Sequence, residues 1–321
     1  MLRLGTRGSQ LALWQARAVA SRLESLGQQV ELVIVKTSGD RLQEAPLSEA
    51  GGKRLFVQDL EDALASQAID LAVHSAKDLP ADLPDGLTIA ATLPRDDPRD
   101  ALVMPLGQGG GDFSAIPDTL GRDKRARIGT SSVRRVAQLS PQIRNAAFEP
   151  VRGNVDTRLR KLDRGEFDAL VLACAGLRRL DLAARISAAV PVDRCVPAPG
   201  QGIVVVETRA GDPSLSALLR RIHDEETGAA LAAERALVEA LGGDCQIPLG
   251  ALARLNGAGM EMDAIVCSLD GRQVIRRHQR GAAGHPERLG ARLADELLTA
   301  GAAAILDEVR QTPKRDILRG P

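Results

Sequence analysis

Cations recur in this chain at one kind of place, the turn that follows a predicted strand. Arg7 follows the run at 2–6 and precedes Ser9, and Arg134 and Arg135 follow Thr130-Ser131-Ser132. Arg152 precedes Gly153-Asn154, with Arg158 further along the next helix, and Arg179 follows a strand and Ala175-Gly176. In open α/β sheets ligands bind at the carboxyl ends of strands, and guanidinium forks take carboxylates bidentately. The shared phase points to a cleft for a ligand with many carboxylates or phosphates. No Walker motif is present, which makes a nucleotide the weaker choice. Taken alone, Thr130-Ser131-Ser132 reads as an ordinary helix cap followed by two solvated arginines, although the same backbone N–H groups also suit an anion. Repetition at successive turns is what favours the cleft.

Two further residues could act on such a ligand. The run Val73-His74-Ser75-Ala76-Lys77-Asp78-Leu79-Pro80 closes a buried-strand pattern. Lys77 beside Asp78 also reads as a plain surface ion pair. Pro80 and Pro84 stiffen the loop, however, and the strand end points to the cleft, where a carboxylate can stabilise a developing cation or move a proton. Cys245 stands in Leu241-Gly242-Gly243-Asp244-Cys245-Gln246-Ile247-Pro248, just past a helix closed by paired glycines. The helix C-terminus and Asp244 both disfavour a thiolate, so protease or redox work is a poor fit. A thiol that reacts once with a very reactive electrophile needs no lowered pKa, and a covalent tether follows. A buried small apolar residue, or a thiol of no consequence, stays open as the plainer reading.

These residues need elements to hold them, and 321 residues allow two or three domains. The first half alternates strand and helix: a strand at 2–6, and a helix at 9–26 with Leu11, Leu13, Trp14, Ala18, Val19 and Leu23 on one broad face. A strand at 30–36, a loop at 38–53, a helix at 55–67 and a strand at 69–74 follow. The pattern then repeats, residues 126–132 echoing 2–9 and 167–173 echoing 68–74. Two similar α/β lobes are the natural reading, although β-turn-α units resemble one another in any case. Proline-rich crossovers at 94–99 and 196–202 would hinge them over a cleft. A strand at 203–208 follows the second crossover, and residues 107–111 form a loop tip. A small α+β unit closes the chain: a helix at 225–241, strands at 251–254, 261–268 and 273–280, and helical segments over 287–310.

Composition narrows the partners. Lys+Arg and Asp+Glu balance at 42 each and aromatics are 2%, so nucleic acid is disfavoured. No apolar run is long enough to span a bilayer, and the N-terminus has no apolar signal core. The four cysteines and four histidines show no metal spacing, and a cytoplasmic protein with reduced thiols and no metal is expected.

Several of these runs, in this order, resemble the porphobilinogen deaminase family over nearly the whole length. They are Thr6-Arg7-Gly8-Ser9 with Leu11-Ala12-Leu13-Trp14-Gln15, Gly51-Gly52-Lys53 with Leu55-Phe56, and Ala72-Val73-His74-Ser75 with Lys77-Asp78. Asp97-Pro98-Arg99-Asp100, Gly129-Thr130-Ser131-Ser132 with Arg134-Arg135, Arg152-Gly153-Asn154, Pro199-Gly200-Gln201-Gly202 and the Cys245 run complete the set. The resemblance implies two periplasmic-binding-protein-like, doubly wound lobes plus a small α+β C-terminal domain. Residues 1–95 and 201–216 would form lobe 1, 96–200 lobe 2, and 217–321 the domain that carries the cysteine loop.

The resemblance also implies the chemistry. A dipyrromethane cofactor, made from the enzyme's own substrate, would be joined by a thioether to Cys245. Four porphobilinogen units would then add head to tail, each losing ammonia through a cationic azafulvene-like species, and hydrolysis would release hydroxymethylbilane. Asp78, Lys77 and Arg7 would be catalytic, Asp78 by stabilising positive charge at pyrrole nitrogens. The cofactor would be held by Lys77, Asp78, Ser75, Thr130, Ser131 and Ser132, together with Arg134, Arg135, Arg158 and Gly176. Substrate would meet Arg7, Ser9, Gln15, Lys53, Arg152, Arg179 and Gln201. A monomer is expected, with no nucleic-acid or membrane partner. Some relatives have lysine where this chain has Glu49, and small residues are common where it has Asp244. A binding protein without chemistry, or a thiol-dependent transferase of another pathway, are the competing classes. Bound pyrrole would exclude the first, and the second requires a lowered Cys245 pKa and a partner base.

Overall fold

The computed structural model describes residues 1–36, 57–108, 110–115, 120, 122, 124–143, 145–242 and 247–312; Glu49, Lys53, Asp244 and Cys245 lie outside the described residues, as does the whole of the expected loop at 38–53. The first lobe opens with β1 (Leu2–Thr6), α1 (Gln10–Ser25), β2 (Val30–Ile34), α2 (Gln58–Ala65), β3 (Leu71–Ser75) and β4 (Leu87–Thr92). The chain crosses to β5 (Asp100–Val103), β6 (Ala126–Gly129), α3 (Val133–Leu139), β7 (Ala146–Glu149), α4 (Val155–Asp163), β8 (Ala169–Ala173), α5 (Cys174–Arg179) and β9 (Ala188–Ala189). It returns as β10 (Val204–Arg209) and α6 (Pro213–Arg220).

The two sheets have one plan. Their orders are β2-β1-β3-β10-β4 and β7-β6-β8-β5-β9. In each, three parallel strands are followed by an antiparallel strand at a crossover, β10 in the first lobe and β5 in the second. Helices cover both faces. In the first lobe α1 and α6 lie on one side through Val19, Leu23, Leu215 and Leu219, and α2 on the other through Leu60 and Leu64.

The echoed residues do equivalent work. Arg3 donates its backbone N–H to Asp70 (2.9 Å), and Arg127 donates its own to Asp168 (2.8 Å). The Arg3 side chain also bonds Asp70 and holds that carboxyl below its ordinary range. Gly5 and Gly129 leave room where a β-carbon would strike Ile69 and Leu170, respectively. Sheet and side chain thus pack closely just before the turn that follows each of these strands.

One face is rotated from expectation. Ala12, Gln15, Ala16, Val19, Ala20 and Leu23 are the buried side of α1, while Trp14 is 39% exposed. The small alanines let the helix lie close to the sheet, and that turns Trp14 toward the second lobe.

The third unit contains α7 (Glu225–Ala240), β11 (Leu249–Asn256), β12 (Gly259–Cys267), β13 (Val274–Ala282), α8 (Pro286–Thr299) and α9 (Ala302–Gln311). Its antiparallel meander alternates with period two. Met260, Met262, Ala264 and Val266 face the helices, whereas Ile265 and Cys267 meet Ala137 and Val196 of the second lobe side. The strands outrun the expected 251–254 and 261–268 because a tight turn with Gly257 at φ 61° joins them. The helical stretch over 287–310 breaks at Gly301, whose φ of 99° is left-handed. The expected domain boundary at 216/217 falls inside α6. Asp212 caps that helix, and its Leu215 and Leu219 belong to the first lobe's core, so we place the boundary after it.

Candidate active site

The crossovers run side by side. Asp96 N–H donates to Gly202 O (3.1 Å), Arg95 Nε to Gln201 O (2.9 Å) and Gln201 Nε2 to Pro98 O (2.7 Å). Glu234 of α7, fully buried, accepts from Arg95 Nη1 (2.6 Å), Gly200 N–H (2.6 Å) and Ala253 N–H (2.8 Å). One carboxylate therefore ties both crossovers to the third unit's helix and sheet.

Lys77 and Asp78 lie in the single 3₁₀ turn Ala76–Asp78 that ends β3. Several elements fix this turn. Ala76 N–H bonds Ile203 O (3.0 Å), and Gln15 Nε2 donates to Ser75 Oγ (2.7 Å) from α1. Arg235 of α7 donates to Pro80 O (2.9 Å) and Ala81 O (2.5 Å) just beyond it. Gly200, at φ 72°, packs against the turn so closely that a β-carbon would lie 2.9 Å from Lys77 N and Ala76 C. Gly200→Ala should therefore push the turn aside and reduce kcat about tenfold to a hundredfold, the penalty of a displacement near 1 Å. Initial rates at equal cofactor loading check this, and an unchanged kcat would refute the close-packing role.

In the second lobe, α3 and α4 carry the expected hydroxyls and cations, and Arg158 of α4 lies in the field of Asp78. Ser132 caps α3, accepting from Arg135 N–H (3.5 Å), and Thr130 Oγ1 accepts from Ser132 N–H (3.3 Å). Ser131 Oγ donates to Val151 O (2.8 Å). Ser9 caps α1 in the same way, accepting from Ala12 N–H (3.3 Å). Arg158 donates Nε to Gly153 O (2.8 Å). Burial, with the field of Arg135 added, pulls the Arg158 guanidinium down to about 10, while Asp78 opposes this. That coupling places Asp78 of the first lobe and Arg135 of the second in the electrostatic field of one cation.

Several residues expected to face ligand turn inward, among them Gln15 and Thr130, 3% and 1% exposed. Arg134 and Arg135 are 4% and 7% exposed and both grip Asp100, Arg134 Nη1 at 2.7 Å and Arg135 Nη2 at 2.8 Å. Asp100 opens the apolar strand β5 and needs those cations. Two guanidiniums against one carboxylate still leave a net positive charge, so the cluster attracts an anion without offering two free forks. Arg179 donates Nη2 to Gly202 O (2.5 Å), pairs with Asp96 (3.7 Å) and lies over the Trp14 ring at 5.5 Å. It bridges crossover and lobes. Gln201, 1% exposed, is consumed by Pro98 and Asp100.

Arg7 stands directly after β1 and Arg152 directly before Gly153, both half-buried. Gly176 lies in α5 opposite Leu11 of α1, where the lobes meet. Asp100, Glu234 and Arg235 were not read as functional from sequence. Asp100 had a signal only in the run Asp97-Pro98-Arg99-Asp100, one of those that carry the family resemblance. Glu234 and Arg235 had none within an alanine-rich helix.

Burial pushes the thiols of Cys174, Cys195 and Cys267 up to about 12. Under native conditions at pH 8 none of the three should react with iodoacetamide, which peptide mass mapping reads directly. Labelling of any of them would contradict the burial.

Residues 2–217 match the family model described as "Porphobilinogen deaminase, dipyromethane cofactor binding domain", and 229–299 match "Porphobilinogen deaminase, C-terminal domain". The porphobilinogen deaminase of Syntrophotalea carbinolica is 44% identical over 314 residues, covering 97% of each chain. That of Acidithiobacillus ferrooxidans is 45% identical over 311 residues, 96% of this chain and 98% of the relative. This chain belongs to the porphobilinogen deaminase family. Among solved structures, a nutrient binding protein from Burkholderia cenocepacia bound to methionine aligns with a TM-score of 0.42 at 12% identity, over 71% of this chain and 93% of that one. The two-lobed fold of this deaminase-family chain rests instead on its repeated strand order.

Proposed function

We propose that this protein joins porphobilinogen units head to tail, with release of ammonia, on a dipyrromethane primer held through Cys245. The observation that carries the reading is the match of nearly the whole chain to the porphobilinogen deaminase family, set beside Asp78 in a 3₁₀ turn that Gln15, Ile203 and Arg235 fix. Arg158, whose Nε is tied to Gly153 O, can offer a guanidinium N–H to a carboxylate, and pyrroles bearing acetate and propionate bring several. The residues present therefore fit the cofactor. When bound, the dipyrromethane supplies the pyrrole carbon to which the next unit is joined.

The chain's own residues do the rest. Arg7, Arg152 and Arg158 take carboxylates of cofactor and substrate, and Lys53 adds a cation. Asp78 stabilises positive charge at the pyrrole nitrogens and moves the proton lost at each coupling. Arg134, Arg135 and Arg179 contribute positive potential from buried positions. Ser9 and Ser132 accept at helix caps and keep their O–H to donate. The third unit fixes the far side of the Asp78 loop through Arg235. No helix among the described residues is long and apolar enough to cross a membrane; we propose a monomeric cytoplasmic enzyme. Incubation with porphobilinogen should release one ammonia per unit consumed and yield hydroxymethylbilane. Consumption without ammonia release would sink the reading.

A further inference from the structure

Gln201 sits where three parts of the molecule meet. Its Nε2 donates to Pro98 O (2.7 Å) in the first crossover and to Asp100 Oδ1 (3.0 Å) at the start of β5. Its Oε1 accepts from Lys77 Nζ (3.4 Å), in the turn that carries Asp78. The amide has one sensible orientation, with two acceptors on its nitrogen side and a cation on its oxygen side. Asp100 in turn holds Arg134 and Arg135. A continuous polar path therefore runs from Lys77 in the first lobe, through Gln201 in the second crossover, to the buried cationic cluster of the second lobe. At 1% exposure Gln201 has almost no surface to offer a substrate.

We infer that Gln201 is a positioning residue that couples the Lys77 ammonium to the Asp100–Arg134–Arg135 cluster across the crossover. Lobe position and the placement of the cation beside Asp78 are thereby linked. This deepens the deaminase reading and rests on it.

Two variants test it. Gln201→Met removes both donors and the acceptor. Its kcat should fall about tenfold or more with KM within about twofold, because positioning is lost and not a substrate contact. Gln201→Glu keeps the shape. When protonated its O–H can donate to Asp100 and its C=O can accept from Lys77. When ionised it repels Asp100, with Lys77 and Arg95 as the cations beside it. Activity of this variant should approach wild type at the acid end and fall as pH rises, a limb the wild type lacks. A readout independent of turnover is the rate of reductive methylation of Lys77 by peptide mass, expected to rise several-fold in folded Gln201→Met. A raised KM at unchanged kcat, or unchanged Lys77 labelling with no new pH limb, would overturn the inference. Failure of the wild type to take up pyrrole mass would sink the deaminase reading instead, while Lys77 labelling would still report on the coupling.

Discussion

Asp78→Asn is expected to lower kcat by about a hundredfold or more, the usual scale for losing a proton-transferring group, with the fold intact. Asparagine has nearly the same shape, and the turn that carries it is fixed by neighbours: Gln15 through Ser75, Ile203 through Ala76 and Arg235 through Pro80. What disappears is the charge. Asn can still accept a hydrogen bond from a pyrrole N–H, but it can neither neutralise a positive ring nor hold its proton. The substitution should also let Arg158 fall further, because Asp78 is the group opposing its downward shift. Rates at matched cofactor loading, beside a circular-dichroism melt, measure this. A near-normal rate would remove Asp78 from the chemistry.

Asp100→Asn should cost about 3–5 kcal/mol of stability at neutral pH, the penalty for leaving buried charges unpaired. Burial by itself would push the Asp100 carboxyl up, but the fields of Arg134 and Arg135 outweigh it and hold the group far below the usual carboxylate range. A depressed folded pKa stabilises the fold above the unfolded value of about 4 and loses that contribution as pH falls toward the folded value. The wild-type advantage over Asp100→Asn should therefore be full at pH 7 and shrink below about pH 4. Urea midpoints at pH 7 and pH 3 test it, and a gap that does not change with pH would contradict the buried-pair account. Activity should fall as well, since Gln201 and both arginines lose their anchor.

Much of this architecture could be read from the residues. The echo of 2–9 in 126–132 proved structural in origin: a glycine that admits a neighbouring side chain, a buried threonine and an arginine stapled to an aspartate in each lobe. Periodicity found α7 and the meander strands because their apolar residues alternate against one helical layer. The short strands β5, β7 and β9 escaped because two to four residues carry no period. Trp14 was placed on the wrong face because an aromatic in a helical stripe reads as core, whereas here alanines take the core and the indole meets Arg179.

At the site, the sequence shows where arginines recur along the chain but not what they touch. The phase of cations at strand ends is a property of the chain. Whether a guanidinium faces solvent or a buried carboxylate depends on residues distant in sequence, as with Asp100 and Arg134 or Asp96 and Arg179. Gln201 and Gly200 belong to the same class. Their roles come from contacts with Lys77 and Ala76, brought alongside only when the second crossover returns to the first lobe.

The central claim is a pyrrole primer joined to this chain through Cys245. Intact mass of the purified protein, set beside Cys245→Ser, tests it most directly. The account predicts an excess over the polypeptide equal to two porphobilinogen units less two ammonias, located on the Cys245 peptide and missing from the variant. A wild-type chain that stays at polypeptide mass after incubation with porphobilinogen, or an excess found on another peptide, would contradict it.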